Sequence, residues 1–170
     1  MSLRKARHAD LARVVEIYNS SIEWRLSTAD TSPVSVESRS HWFTSRADNR
    51  PLFVYEESDQ VCAWASIDSF NERPAYSNTV ELSVYIDHAH IGKGVGTTIL
   101  SEVLTRVPSL GIRIVIARIY SHNVASLKLF RNHGFELWGE LPDVCEMDDR
   151  LYSVSIFGLK IQNAEDKLSR

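Results

Sequence analysis

The feature that most constrains the fold of this chain is a glycine-rich segment between a strand pattern and a helix pattern. Residues 90–97 read HIGKGVGT, and Gly92, Gly94 and Gly96 alternate within them. Glycine permits tight turns and lets several backbone N–H groups converge on one anion. The N-terminus of the following helix adds unpaired donors and the positive end of a dipole. The segment predicts a pyrophosphate cradle; a tight turn without a ligand is the alternative.

Two common nucleotide-binding motifs do not fit this segment. A P-loop needs Gly-Lys followed by Ser or Thr, whereas Lys93 is followed by Gly94. The dinucleotide pattern G-x-G-x-x-G needs a final glycine where Thr97 stands, and it prefers an early position in a βαβ unit. The anion expected at this site therefore belongs to a different kind of ligand.

Strand and helix patterns alternate along the rest of the chain. Asp10 and Ser35 each precede a helical pattern as a cap, and the second helix is expected to end near Arg46. Two further helices are predicted at residues 95–107 and 123–132. Strands are predicted at residues 2–7, 52–56, 61–67, 79–86, 112–119, 135–141 and 152–159. Early hairpins followed by a strand–helix–strand unit favour an α/β fold with a mixed sheet.

Two details of this pattern carry predictions of their own. Ser58-Asp59 separates two strands and indicates a hairpin turn. The strand at residues 112–119 is continuously apolar apart from Arg113 and Arg118, which predicts burial on both faces of the sheet.

Length, charge and composition limit the kinds of partner. The 170 residues suit a single domain over residues 1–170, with a polar tail at 162–170 that is expected to fray. The net charge is −3 and no segment concentrates Lys and Arg, which argues against nucleic acid as a partner. No apolar run is long enough for a membrane helix, and the N-terminus lacks a signal-peptide pattern. We expect a cytoplasmic location.

Cysteine and histidine do not indicate a nucleophile or a metal site. Cys62 lies in an apolar run and is expected to be buried, and a disulfide with Cys145 would be unusual in a reducing compartment. Neither cysteine shows a pairing with histidine. His88 and His90 have no matching carboxylate or cysteine spacing, so we expect no metal.

A second motif, NVASLKLF at residues 123–130, precedes Gly134-Phe135. Asn123 and Ser126 are three residues apart and share one face at a helix start. Asn123 suits the role of N-cap, a ligand contact, or both.

Together the two motifs resemble the GNAT acetyltransferase superfamily, and more closely its phosphinothricin acetyltransferase-like branch. Other segments typical of the branch occur in the expected order: residues 17–19, 64–66, 73–76, 79–81 and 83–86. The resemblance implies the GNAT fold, a mixed and mostly antiparallel sheet. Its central parallel strand pair would be splayed at the cofactor site, with helices on both faces. It also implies an N-acetyltransferase that uses acetyl-CoA.

The resemblance also implies roles for particular residues. Glu81 would be the general base, because an ammonium must lose a proton before it attacks the thioester. Arg73 and Tyr76 would lie over the acceptor, with Arg73 suited to a carboxylate. The coenzyme would contact the cradle, the splayed strand and the second motif: Val84, Tyr85, Ile86, Gly92, Lys93, Gly94, Val95, Gly96, Thr97, Asn123 and Ser126.

The sequence departs from the branch pattern in three places. Ile91 stands where Arg or Gln is usual, and Phe130 stands where Tyr or His is usual. Because Phe130 cannot exchange protons, water, Tyr85 or His133 would have to serve the leaving thiolate. Residues 144–151, VCEMDDRL, replace a segment that the branch places near the acceptor, which weakens the expectation of phosphinothricin itself.

The expected acceptor is a small-molecule amine: an amino acid or an analogue such as phosphinothricin or methionine sulfoximine. The alternatives are acetylation of a protein N-terminus or lysine, and a coenzyme A-binding module without catalysis. Members of the branch tend to be dimers, so we expect a homodimer. The apolar segment at residues 154–159 is the predicted contributor to its interface.

Overall fold

The computed structural model describes residues 2–161, so the predicted frayed tail at residues 162–170 lies outside the described part. Four α-helices are present there: α1 Leu11–Ser20, α2 Val36–Thr44, α3 Val95–Arg106 and α4 Val124–Asn132. The strands are β1 Ser2–Lys5, β2 Leu52–Glu57, β3 Gln60–Ser69, β4 Thr79–Ile86, β5 Ile114–Tyr120, β6 Glu136–Met147 and β7 Arg150–Lys160. They form one sheet in the order β1-β2-β3-β4-β5-β7-β6.

The pairing of β4 with β5 is parallel, and the other neighbouring pairs are antiparallel. The parallel contact is short, because it begins at Thr79 opposite Ile114 and ends at Glu81 opposite Ile116. Beyond Glu81 the two strands separate while each stays paired with its other neighbour. The predicted α/β fold with a splayed parallel pair is confirmed.

Helices cover both faces of the sheet because apolar side chains alternate along the strands. On β2, Phe53 and Tyr55 point into a cluster that includes Ile99 and Leu100 of α3. Their neighbours Leu52 and Val54 point to the opposite face, where they pack with residues of α1. We call these the α3 face and the α1 face. The predicted placement of helices on both faces is confirmed.

Two hairpin turns use residues with positive φ. Ser58 and Asp59 have φ of 50° and 61°, which confirms the predicted β2–β3 hairpin. Asp148 and Asp149, with φ of 52° and 59°, close a second hairpin between β6 and β7. Aspartate tolerates this conformation better than most residues. β6 therefore continues past its predicted end at residue 141, and β7 begins before its predicted start at residue 152.

Other element boundaries also differ from the prediction. β1 ends at Lys5 rather than at residue 7, and α2 ends at Thr44 rather than Arg46. β5 begins at Ile114 rather than at residue 112, since its ladder with β4 starts with Ile114 opposite Thr79. Just before it, the N–H groups of Arg113 and Ile114 both donate to the Asn78 carbonyl. The predicted two-sided burial of β5 holds for most of its residues, but Arg118 is exposed.

Asp10 has a role different from the predicted cap. Its side chain makes no capping hydrogen bond to α1. It accepts hydrogen bonds from the Arg7 N–H at 2.6 Å and from the Arg4 guanidinium at 2.7 and 2.9 Å. Arg4 also pairs with Glu56 on β2. The carboxylate thus joins the first strand to the start of α1. Ser35, in contrast, caps α2 as predicted, accepting from the Ser38 N–H at 3.1 Å.

The segment at residues 154–159, predicted for a dimer interface, lies inside the sheet. β7 is paired with β5 on one edge and with β6 on the other. Val154 and Phe157 are buried within the chain. Exposed apolar side chains lie instead on the edge strand β6, at Leu137, Trp138, Leu141 and Val144. We call these four residues the β6 patch.

Both cysteines are free thiols, and Cys62 is fully buried as predicted. Burial raises the pKa of the Cys62 thiol, which disfavours the reactive thiolate. None of the helices within residues 2–161 combines the length and the apolar character required to cross a bilayer.

Candidate active site

A cleft of about 320 Å³ opens where β4 and β5 separate. Its walls come from both strands, from the segment between α1 and α2 at residues 26–29, and from the start of α4. Splayed parallel strands leave backbone N–H and C=O groups that no neighbouring strand satisfies. An extended ligand with amide groups can pair with such an edge. Val84 to Ile86 have β3 partners but no β5 partner in the described sheet.

Glu81 is the last β4 residue paired with β5, and its carboxylate lies at the apex of the cleft. The side chain is 19% exposed. Oε1 accepts a hydrogen bond from Arg118 Nε at 2.8 Å. The same contact raises the pKa of the Arg118 guanidinium above its usual value. A carboxylate at this place can receive a proton from an amine that enters the cleft.

The orientation of Glu81 follows from alternation along β4. Its neighbours Val80 and Leu82 belong to the core cluster on the α3 face. Glu81, Ser83 and Tyr85 therefore point to the α1 face. The glycine segment and α3 approach the strand from the other side, so the sheet separates the cradle from the carboxylate.

Gly92 and Gly94 adopt φ of 78° and 83°, a conformation in which other residues are strained. Gly94 is the N-cap of α3. The backbone N–H groups of residues 94–97 have no acceptor among residues 2–161. These donors converge at the positive end of the helix dipole, as required for a pyrophosphate. The geometry fits the pyrophosphate cradle that the sequence predicts.

The remaining residues of the glycine segment either pack against the protein or face solvent. Gly96 lies against β4 and α4, and a Cβ there would stand 3.0 Å from Ile86 Cδ1 and 3.2 Å from Leu129 Cδ2. Val95 is buried, whereas Lys93 and Thr97 are exposed. Gly96 thus permits close packing, and Lys93 is available to an external phosphate.

Asn123 is buried and holds two parts of the cleft together. Its Oδ1 accepts from the Ser126 N–H at 3.0 Å, which makes it the N-cap of α4. Its Nδ2 donates to the Leu26 carbonyl at 2.9 Å. Asn123 and Ser126 both line the cleft, so the capping role and a ligand contact are compatible.

Three side chains bear on the protonation of a leaving thiolate. Phe130 lines the cleft but is buried, packed edge-to-face on Phe135 at 4.9 Å between ring centroids. His133 lies between helices, with Nδ1 donating to the Leu129 carbonyl and Nε2 3.0 Å from Ser101 Oγ. Tyr85 lines the cleft, and its hydroxyl donates to the Ser27 carbonyl at 3.0 Å. Burial raises the pKa of Tyr85, which keeps this hydroxyl protonated.

An aromatic pocket of about 170 Å³ adjoins the cleft on the α1 face and shares Ser83 and Tyr85 with it. Trp64 stacks on Tyr85 with ring centroids 4.4 Å apart. The other aromatic walls are Tyr18 and Trp42. The branch segments at residues 17–19, 64–66 and 83–86 each contribute to its walls, but the sequence does not show that they meet, because the walls come from four separate elements.

Arg73 and Tyr76, the predicted acceptor contacts, lie in an exposed segment before β4. Tyr76 packs on Phe70 at 5.7 Å between ring centroids. Neither residue lines the cleft or the aromatic pocket. The structure instead places Arg118 beside Glu81. In the sequence alone, Arg118 is notable only as an interruption in an apolar strand.

The divergent segment at residues 144–151 contributes to the cleft through Cys145. Tyr120 Oη donates to Cys145 Sγ at 3.6 Å, and Met147 is buried beside Tyr120. Asp148, at the hairpin turn, pairs with Arg25 at 2.7 Å. This ion pair ties the β6–β7 turn to the α1–α2 segment, so both walls of the cleft are anchored to each other.

Comparison with known proteins gives a consistent picture. A family model described as an acetyltransferase (GNAT) domain matches residues 3–154. The chain is 50% identical over 162 residues to YwnH of Bacillus subtilis, named as a candidate phosphinothricin acetyltransferase; the match covers 95% of this chain and 99% of YwnH. It is 31% identical to an L-methionine sulfoximine/L-methionine sulfone acetyltransferase of Pseudomonas aeruginosa, with 94% of each chain covered.

A solved structure is similar along most of the chain. It is a GNAT superfamily phosphinothricin acetyltransferase of Sinorhizobium meliloti in complex with acetyl-CoA. The TM-score is 0.88 and the identity 31%, over 94% of this chain and 88% of the other.

Proposed function

The chain belongs to the GNAT acetyltransferase family, and on this premise we propose that it moves the acetyl group of acetyl-CoA to the amine of a small α-amino acid or analogue. Phosphinothricin and methionine sulfoximine, named for the relatives, are the first acceptors to examine. The observation that carries the proposal is the position of Glu81, a carboxylate at the apex of a cleft between splayed parallel strands.

Coenzyme A would lie across the splay with its pyrophosphate on the α3 side. The N–H groups of residues 94–97 would hold the pyrophosphate, with Lys93 as an additional cation. The unpaired edge at Val84 to Ile86 would bind the amide arm, and Ser126 would contact its thioester end. The thioester supplies the activated acetyl group and a leaving thiolate.

Glu81 would deprotonate the acceptor ammonium, directly or through a water molecule. An ammonium has no lone pair, so attack on the acetyl carbon requires this step first. Arg118 Nε fixes one oxygen of the carboxylate, which leaves Oε2 for the proton. The departing thiolate would take its proton from water in the cleft, either directly or through the Tyr85 hydroxyl as a relay that regains its proton from water.

The aromatic pocket would receive the side chain of the acceptor. Its aromatic walls of Trp42, Trp64 and Tyr18 would hold the apolar part of a side chain of moderate size, and its polar wall residues Arg39 and Ser66 would face a polar end group. This arrangement favours amino acids over a folded protein, because the acceptor amine must reach the apex of the cleft while its side chain fills the pocket.

We further infer a cytoplasmic homodimer. The two free cysteines suit a reducing compartment. The β6 patch would form the contact, because β6 is an edge strand whose outer backbone groups lack a neighbouring strand in the described sheet and whose exposed apolar side chains a second copy could cover.

The experiment that tests the acceptor class is a screen of acetyl-CoA consumption with mass-spectrometric detection of the acetylated product. It covers amino acids, methionine sulfoximine, methionine sulfone, phosphinothricin, polyamines and peptides. Turnover of amino acids and their analogues supports the proposal. Preferential turnover of peptides would favour acetylation of proteins. Consumption with none of the acceptors, by a folded protein that binds acetyl-CoA, would favour a module without catalysis.

A further inference from the structure

Arg118 is an arginine with unused hydrogen-bonding capacity beside the proposed base. Its side chain is 59% exposed, and only Nε is engaged, with Glu81. Nη1 and Nη2 have no hydrogen-bond partner among the described residues. These two nitrogens form the end of a planar fork that matches the two oxygens of a carboxylate.

Strand alternation places Arg118 on the face that the acceptor must use. Ala117 and Ile119, its neighbours on β5, belong to the core on the α3 face. Arg118 therefore points to the α1 face, as Glu81 does. Both residues line the same cleft, so an amine that reaches Glu81 comes within contact distance of the guanidinium.

Two other arginines near the cleft differ from Arg118 in their position or their partners. Arg25 donates through Nε and Nη2 to Asp148 and through Nη1 to the Ile22 carbonyl. Arg39 donates through Nη2 to Asp30 and lies over the Tyr18 ring, but it belongs to the wall of the aromatic pocket and does not line the cleft beside Glu81. Arg118 is the arginine lining the cleft itself, and it keeps two donor nitrogens for a ligand.

The charges of the pair are complementary to those of an α-amino acid. Such an acceptor carries its ammonium and its carboxylate on one carbon, so the two groups must meet an anion and a cation that lie side by side. Glu81 and Arg118 present this arrangement at a separation of 2.8 Å. A simple amine or a polyamine would use Glu81 alone and would meet an unfavourable positive charge at Arg118.

We propose that Arg118 determines acceptor specificity by binding the α-carboxylate through Nη1 and Nη2 while its Nε keeps Glu81 in place. This inference rests on the proposed function, since it requires an α-amino acid acceptor. It gives Arg118 the carboxylate-binding role that the family resemblance implies for Arg73.

The test compares L-methionine sulfoximine with its carboxyl methyl ester, which keeps the amine and removes the negative charge. Kinetic constants are measured for the wild type, Arg118→Gln and Arg118→Lys. Arg113→Gln is the matched control, because Arg113 is an exposed arginine just before β5 and outside the cleft. Melting temperatures verify that each variant is folded.

Arg118→Gln is expected to lower kcat/KM for the acid by about tenfold to a hundredfold, mainly through KM, since charge-assisted hydrogen bonds are lost. For the ester the loss should stay below about threefold. Arg118→Lys should recover part of the activity on the acid, and Arg113→Gln should match the wild type.

Equal losses on the acid and the ester would overturn the inference, because Arg118 would then act only by positioning Glu81. A different result marks failure of the proposed function itself. If the wild type acetylates neither the amino acid nor any other amino acid in the screen, the acceptor class is wrong and the carboxylate role falls with it.

Discussion

Arg118 Nε donates to Glu81 Oε1 at 2.8 Å, across the gap that opens between β4 and β5. Glu81 is the last β4 residue in the parallel ladder, opposite Ile116, and Arg118 lies two residues beyond Ile116 on β5. The ion pair therefore spans the two strands just after their backbones separate. It holds the carboxylate at the position where an amine entering from the α1 face would arrive.

Acetyl-CoA should raise the melting temperature, because a ligand that binds only the folded state stabilises it by mass action. Gly94→Ala should reduce this shift, since alanine is strained at φ of 83° and the cradle depends on this turn. Gly111→Ala is the control: Gly111 has φ of 73° and an added Cβ there would contact nothing among the described residues, but it follows α3 away from the cleft. Differential scanning fluorimetry measures the acetyl-CoA-induced shift in melting temperature for the wild type and the two variants. The absence of a shift for the folded wild type at millimolar acetyl-CoA would contradict the cradle.

Phe130→Tyr should leave the turnover rate within about twofold of the wild type or reduce it. The ring is buried against Phe135, so an added hydroxyl introduces bulk into a packed site. Tyr85 and water remain available for the thiolate. Steady-state rates at saturating acetyl-CoA test this expectation. A clear increase would show instead that protonation of the thiolate limits turnover.

Asp10→Asn should destabilise the protein at neutral pH by about 1–2 kcal/mol, through loss of a charged partner for Arg4. The Arg4 contact lowers the pKa of Asp10 below its usual value near 3.8. Because the folded-state pKa is depressed, this stabilisation is present above pH 4 and is lost as the pH falls through the folded value. Urea unfolding at pH 7 and near pH 3 should therefore give a smaller difference between variant and wild type in acid.

The exposed Asp48→Asn is the control for this variant and should behave like the wild type at both pH values. An effect of Asp10→Asn that is the same at both pH values would assign the role of Asp10 to its hydrogen bond with the Arg7 N–H rather than to its charge.

Leu141→Asp should convert a dimer into a monomer if the β6 patch is the contact between copies. Leu141 is 44% exposed, so its replacement costs little in the folded monomer but places a charge in the proposed interface. Light scattering at high micromolar concentration measures the mass, with the exposed Val36→Asp on α2 as the control. A monomeric wild type would refute the dimer.

Much of the fold could be predicted because the pattern of apolar residues is strong where strands and helices are buried. The limits of β4 match the prediction of residues 79–86, since its apolar residues alternate over its first half and a glycine segment follows. β6 was underestimated for the opposite reason. Most of its residues are exposed, so no buried face imposes an alternation that marks the strand.

The candidate site could be predicted only in part. Glu81 and the glycine segment stand in local motifs, whose meaning does not depend on distant residues. The partnership of Glu81 with Arg118 joins residues 37 positions apart, and it depends on how two strands diverge. The aromatic pocket likewise joins α1, α2, β3 and β4. Such juxtapositions follow from packing and have no signature in the linear sequence.

The most direct test of the account is the rate of acetyl transfer by Glu81→Gln, measured in single turnover with an acceptor found in the screen. Glu81→Gln keeps the shape of the side chain and its acceptor oxygen for Arg118 but removes the base. We predict a rate lower by about a hundredfold or more, the usual scale of general-base catalysis, with an acetyl-CoA melting shift equal to that of the wild type. The exposed Glu136→Gln on β6 should match the wild type in both measurements. A wild-type rate for Glu81→Gln, under conditions where chemistry limits turnover, would contradict the account and remove Glu81 from the mechanism.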